Sequence, residues 1–300
     1  MKNNNVRFIG RFLLLFLLAV VPFSAYAQKA ELKASTKDSG RVSTYKLDSK
    51  LMKRQMPYQV ILPVGYENSK EKTFYPTVYL LHGLTGHYND WGGKAELEKY
   101  TESYKYIFVM PEGDNGWYSD SVTNTNEKYE SYIIQELIPE IEKKFRAEKE
   151  RGGRVVAGLS MGGYGGMKFG IKYPEKFVLA GSFSGALRAA EFDAKVLGGW
   201  KVLADSITAT FGEANSDTRK ENDIFKLVQA KSSARIKEMP FIYLDCGTED
   251  GLIKQNMDFA NLLLEKKIPH EYRQLPGKHE WAYWNSQIKE FLELSRKFVK

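Results

Sequence analysis

Gly153-Arg154-Val155-Val156-Ala157-Gly158-Leu159-Ser160-Met161-Gly162-Gly163 sets a short apolar run directly against a glycine-flanked serine. A helical pattern follows over 161–173. The run 153–158 has the length and β-branched content of a buried strand. A serine on the sharp turn from strand to helix sits in a strained backbone, with its hydroxyl pushed out at the carboxyl edge of the sheet. Gly158 and Gly162 let neighbouring chain approach where a Cβ would clash. The free N–H groups and dipole of the helix start favour negative charge there. The spacing G-x-S-x-G alone is a modest signal. Between a strand and a helix it predicts a nucleophile, Ser160, over a glycine-rich helix start without chemistry.

Working outward, segments 42–47 and 57–62 read as two opening strands, paired as a hairpin. Segments 76–81 (PTVYLL), 106–110 (YIFVM), 177–182, 241–245 (FIYLD) and 271–275 supply further strands. Between them, 127–146 places Tyr132, Ile133, Leu137, Ile141 and Phe145 at helical intervals on one stripe. Segments 255–266 and 281–299 show similar periodicity. Alternating strand and helix implies a mostly parallel central sheet with helices on both faces. With the serine turn, this predicts the α/β-hydrolase fold in one catalytic domain, 41–300. The polar, helical stretch 188–239 breaks the rhythm. A small helical cap beside the site is favoured there over plain packing.

A serine nucleophile needs a base, and the chain has 4 histidines. His270 opens the last strand, so it lies about 20 Å from that strand's active end. His82 and His87 precede Ser160, in the loop after 76–81. His279 follows the last strand, at the correct edge and in the chain order Ser, acid, His of this fold. The base is therefore assigned to His279. The acid is expected after 241–245, where Asp245, Glu249 and Asp250 offer carboxylates to fix the imidazole tautomer. Asp250, deeper in the loop, is favoured, with Glu249 and Asp245 as fallbacks. The oxyanion needs two preorganised donors. These are expected to be the amides of Met161, directly after the nucleophile, and Leu84, with Gly83 as the lesser alternative. His82 is expected to shape that loop rather than move protons. Trp91, Trp117 and Tyr118, in polar clusters after active-edge strands, are expected to line the rim as substrate-binding aromatics. Loop packing is an equally good account of them. Trp281 and Trp284 are expected to pack near the site.

Composition narrows the class further. The 300 residues are 43% hydrophobic and 27% charged, ordinary for a globular chain. Lys2, Arg7 and Arg11 precede an apolar run over 12–23 and Ala25-Tyr26-Ala27. This is the pattern of a secretory signal peptide over 1–27, with cleavage expected after Ala27. The run falls short of the ~20 residues that span a bilayer, so no stable membrane insertion is expected after cleavage. Residues 28–40 read as a flexible tail. The formal charge of +7 loses the leader's Lys2, Arg7 and Arg11, a mild balance that does not point to nucleic acid. Cys246 is the only cysteine, which excludes an intramolecular disulfide and a cysteine-rich zinc site. The expected chemistry needs no metal or cofactor. The expected location is secreted or periplasmic.

Val60-Ile61-Leu62-Pro63, YPTVYLLHGLTGHYNDW, GLSMGGYGGMKFG, SFSGAL, DCGTED and GKHEWAYW together resemble the esterase D family. That family includes S-formylglutathione hydrolases, feruloyl and acetylxylan esterases, tributyrin-type esterases and mycolyltransferase antigens. The resemblance runs from about residue 42 to 295. It implies the triad Ser160, Asp250 and His279 with the oxyanion donors named above, and it sharpens Asp250 over Asp245. In the cytosolic formylglutathione branch the segment matching His82-Gly83-Leu84-Thr85-Gly86 looks like SGLTC. The exported branches acting on ester-bearing polysaccharides fit this chain better. The resemblance implies a carboxylesterase acting on small acyl or aryl esters, including those carried by carbohydrates. An acyltransferase would use the same three residues. A non-catalytic carbohydrate-binding protein would leave them idle.

Overall fold

The computed structural model describes residues 40–69, 72–193 and 200–299. The expected signal peptide (1–27) and all but the last residue of the expected tail (28–40) lie outside them. Eight strands form one sheet: β1 (Val42–Ser49), β2 (Arg54–Ile61), β3 (Thr77–Leu81), β4 (Ile107–Pro111), β5 (Arg154–Leu159), β6 (Leu179–Phe183), β7 (Phe241–Gly247) and β8 (His270–Leu275). Their spatial order is β1-β2-β4-β3-β5-β6-β7-β8. β1 pairs antiparallel with β2, and β2 antiparallel with β4. The remaining neighbours are parallel. This is the α/β-hydrolase fold expected from the alternation, and 42–47 with 57–62 do form the opening hairpin.

The central strands are buried on both faces, which explains why β3 (TVYLL) and β4 (IFVMP) are unbroken apolar runs. Side chains alternate between two cores. Tyr79, Leu81, Val156 and Leu244 face one cluster, and Val78, Leu80, Val155 and Tyr243 face the other. Sheet order reverses between β3 and β5. The loop after β3 and the turn after β5 therefore face each other across a crevice at the carboxyl ends, where open α/β sheets bind ligands.

The helix Met161–Lys172 follows β5. It carries a feature that composition does not reveal. Lys168 is wholly buried, with Nζ 2.7 Å from Glu130 Oε2 and 3.2 Å from Asn222 Oδ1. It also donates to Ser119 Oγ. Its partner Glu130 stands beside the predicted apolar stripe, at the start of a helical segment that contains a π-turn, Tyr132–Leu137. This buried network pins the helix behind Ser160. Burial pushes the Lys168 ammonium down to about 8 against the pull of Glu130.

The stretch 188–239 forms the helices Lys201–Phe211, Asp217–Asn222, Ile224–Gln229 and Ser233–Lys237. Much of it packs on the helix Met161–Lys172. Tyr164 meets the Phe211 ring edge-on and donates its hydroxyl to the Asn222 carbonyl at 2.7 Å. Among its described residues, only Trp200, just before Lys201, reaches the cleft beside Ser160. Among the described residues, no helix is long and apolar enough to cross a membrane.

Candidate active site

Ser160 sits at φ 53°, ψ −114°, a left-handed conformation costly for a residue with a Cβ. The surroundings hold it there. Its N–H donates to the Phe183 carbonyl at 2.9 Å, and its carbonyl accepts from Tyr164 and Ala186 at 3.1 and 3.0 Å. The tight turn needs small neighbours. A Cβ on Gly162 would lie 2.3 Å from the Leu81 carbonyl oxygen, and one on Gly158 2.5 Å from the Gly162 carbonyl.

Three distant segments converge on this turn. His279 Nε2 lies 2.9 Å from Ser160 Oγ, and His279 Nδ1 lies 2.8 Å from Asp250 Oδ2. The loops carrying His279 and Asp250 are tied by backbone: Glu249 N–H donates to the Gly277 carbonyl at 3.0 Å, and Thr248 N–H to the Leu275 carbonyl at 2.9 Å. Gly247 passes so close that a Cβ there would lie 2.3 Å from the Gly277 oxygen. Asp250 is buried and accepts from the Leu252 amide at 2.8 Å through its other oxygen. Burial opposes its charge, but the His279 ring and that amide outweigh it and hold the carboxyl below the usual range. The Trp284 ring meets His279 edge-on with centroids 5.0 Å apart.

The two fallback carboxylates go elsewhere. Asp245 is fully buried beside Tyr243 and Tyr283, and burial pushes its carboxyl well up, toward the neutral form. Glu249 points outward, 3.8 Å from Lys278 Nζ. His270 pairs in register with Ile242 at the far end of β8, with Nδ1 2.8 Å from the Ile268 carbonyl.

Met161 opens its helix directly after Ser160, and Leu84 sits in the facing loop after β3. Among the described residues, neither amide donates a hydrogen bond. The loop is braced from behind. His82 Nδ1 lies 2.8 Å from the Gly83 carbonyl, and Nε2 lies 3.0 Å from Glu112 Oε1. Glu112 Oε2 lies 3.2 Å from His87 Nδ1. Burial opposes ionisation of Glu112, yet the His82 ring, the Asp114 amide and His87 hold its carboxyl down to about 2.

The three aromatics expected at the rim are corrected. Trp117 and Tyr118 stand at φ 52° and 49°, and these two left-handed residues turn the loop so that both rings point inward. Trp117 is 2% exposed, donates Nε1–H to Ser206 Oγ at 3.0 Å and packs on Tyr164 and Phe211. Tyr118 is fully buried and donates its hydroxyl to the His82 carbonyl at 3.0 Å. Trp91 is buried too, donates to the Leu81 carbonyl at 3.1 Å and backs Trp281 edge-on at 5.4 Å. Trp117→Ala is thus expected to cost stability, about 3–5 kcal/mol, rather than selectivity for aryl esters. Denaturant unfolding measures it, and an unchanged midpoint would contradict the burial.

The residues that do face Ser160 line a cleft of about 380 Å³. Trp200, Trp281 and Trp284 supply aromatic wall, and Asp90, Lys94 and Glu280 supply polar groups. Lys94 pairs with Asp90 at 2.9 Å and lies 5.6 Å from the Trp281 ring centroid. Sequence reasoning placed Asp90 at the rim through the cluster Asn89-Asp90-Trp91 but missed Trp200 and Lys94 as cleft residues. Asp90 and Lys94, one helical turn apart and flanking Trp91, were the available signal.

A serine turn after the fifth strand, an aspartate after the seventh and a histidine after the eighth, joined by hydrogen bonds at the carboxyl edge of the sheet, stand in an α/β-hydrolase fold. The family model Esterase, described as "Putative esterase", matches residues 49–293. The chain belongs to this family and is a serine hydrolase acting on carboxylic ester bonds, in keeping with the esterase D resemblance. It is 30% identical over 256 residues to an acetyl esterase of Caldicellulosiruptor saccharolyticus, spanning 82% of this chain and 94% of that one. A solved ferulic acid esterase superposes with a TM-score of 0.72 at 26% identity, covering 86% of this chain and 98% of that one. FphF, a fluorophosphonate-binding serine hydrolase of Staphylococcus aureus, gives 0.74 at 28% identity, covering 85% and 97%.

Proposed function

We propose that this chain is an exported carboxylesterase that releases small acyl or aryl groups from carbohydrate esters through an acyl-enzyme on Ser160. The observation that carries the mechanism is the unbroken line from the Ser160 hydroxyl through His279 to Asp250, at 2.9 and 2.8 Å, opening on a cleft. Ser160 Oγ attacks the ester carbonyl as His279 Nε2 takes its proton. Asp250 holds the Nδ1–H tautomer and stabilises the imidazolium. The Met161 and Leu84 amides receive the developing oxyanion. His279 then protonates the leaving alcohol, and later activates the water that releases the acid.

The substrate reading rests on the cleft and the relatives. Indole faces at Trp200, Trp281 and Trp284 suit the C–H face of a sugar or an aryl ring, and the Asp90–Lys94 pair and Glu280 suit hydroxyls. A relative named acetyl esterase and a neighbour named ferulic acid esterase support the same class. Export rests on the charged, apolar and Ala-Tyr-Ala pattern of residues 1–27. The test is a panel of acetyl, butyryl and feruloyl esters, free and sugar-linked. Sugar-linked esters are expected to show the lower KM. Equal KM values for free and sugar-linked esters would argue against a carbohydrate substrate.

A further inference from the structure

The loop carrying the Leu84 amide does not hold its own shape. Within it only the Gly86 N–H to Gly83 carbonyl contact, 3.0 Å, and the His82 ring on Gly83 close the turn. Thr85 stands at φ 62°, in the left-handed region. The remaining support comes from the segment after β4. Asn115 Oδ1 accepts from the Thr85 amide at 2.8 Å, and Tyr118 donates to the His82 carbonyl. Glu112 spans the loop. One carboxylate oxygen lies 3.0 Å from His82 Nε2, a nitrogen that also meets the Gly113 amide at 2.9 Å, and accepts from the Asp114 amide at 2.7 Å; the other lies 3.2 Å from His87 Nδ1 and accepts from the Tyr88 amide at 3.4 Å. Leu84 lies between these two anchor points. Glu112 is buried and does not line the cleft.

We infer that Glu112 is a positioning residue for ester hydrolysis: by gripping His82 and His87 at once, it sets where the Leu84 amide points toward the oxyanion. This rests on the reading of Leu84 as an oxyanion donor. A carboxylate offers an acceptor oxygen to each ring at once. Glutamine keeps the shape but offers one acceptor. Because Glu112 touches no substrate, its loss acts on the transition state, not on ground-state binding.

The test compares Glu112→Gln and His87→Ala with the parent enzyme on p-nitrophenyl acetate. Losing a whole oxyanion donor costs about 10²–10³ in kcat. A misaimed one is expected to cost less, about tenfold for Glu112→Gln, with KM within about twofold. Affinity for a trifluoromethyl ketone, which forms a tetrahedral oxyanion on the serine, is expected to fall by the same factor. His87 is half-exposed, so His87→Ala keeps the fold in play even where Glu112→Gln destabilises it. It is expected to lower kcat several-fold alone and to add almost nothing in the Glu112→Gln background. Unchanged kcat in both variants, a change confined to KM, or strictly additive losses would overturn the inference. If Ser160→Ala retains full turnover, the catalytic reading itself fails. If Ser160→Ala is inactive and Glu112→Gln is not impaired, only this inference falls.

Discussion

Replacing Ser160 by alanine is expected to lower hydrolysis of p-nitrophenyl acetate by about 10⁶-fold while leaving the unfolding midpoint unchanged or raised. Loss of the nucleophile in such a triad costs about that much in kcat, and the residue left behind comes from the oxyanion site and binding. Stability need not suffer. The Ser160 side chain makes one hydrogen bond, to a half-exposed imidazole, and its backbone bonds to Phe183, Tyr164 and Ala186 survive the change. Alanine still carries a Cβ at φ 53°, so the strain of the turn stays the same. Turnover above a hundredth of the parent rate in a homogeneous preparation would remove Ser160 from the mechanism.

The second large effect separates two aspartates five residues apart. Asp250→Asn is expected to cost about 10⁴ in kcat, the scale seen when a triad carboxylate becomes an amide and the imidazole takes the wrong tautomer. Asp245→Asn is expected to change kcat by less than about tenfold, well short of what a triad acid is worth. The reason lies in their surroundings. Asp250 is ionised against His279 and the Leu252 amide. Asp245 is fully buried, and burial pushes its carboxyl up against the pull of the Tyr243 and Tyr283 hydroxyls, so an amide of the same shape is expected to replace it with little electrostatic change. Parallel kcat values from the two purified variants decide it, and the reverse ranking would move the acid to Asp245.

Much of the site could be read before any coordinates because it depends on topology. The edge of the sheet at which a residue emerges follows from strand order and direction. That placed Ser160 after β5, Asp250 after β7 and His279 after β8, and set His270 at the opposite edge. The aromatic rim was not legible, because in a loop the direction of a side chain depends on the backbone of one or two residues. Asn115-Gly116-Trp117-Tyr118 looks polar and exposed, and successive left-handed residues turn it inside out. Lys168 and Glu130 were invisible for another reason. A buried lysine is rare, and only the meeting of Glu130, Ser119 and Asn222 around it makes it affordable. Trp200 came from a stretch whose helical pattern said nothing about which end meets the cleft.

The most direct measurement is labelling of the purified protein with a fluorophosphonate, followed by intact mass and peptide mapping. One adduct per chain is expected, on Ser160, formed far more slowly once His279 is replaced by alanine. An adduct on another residue, or labelling of the Ser160→Ala variant at the parent rate, would contradict the account.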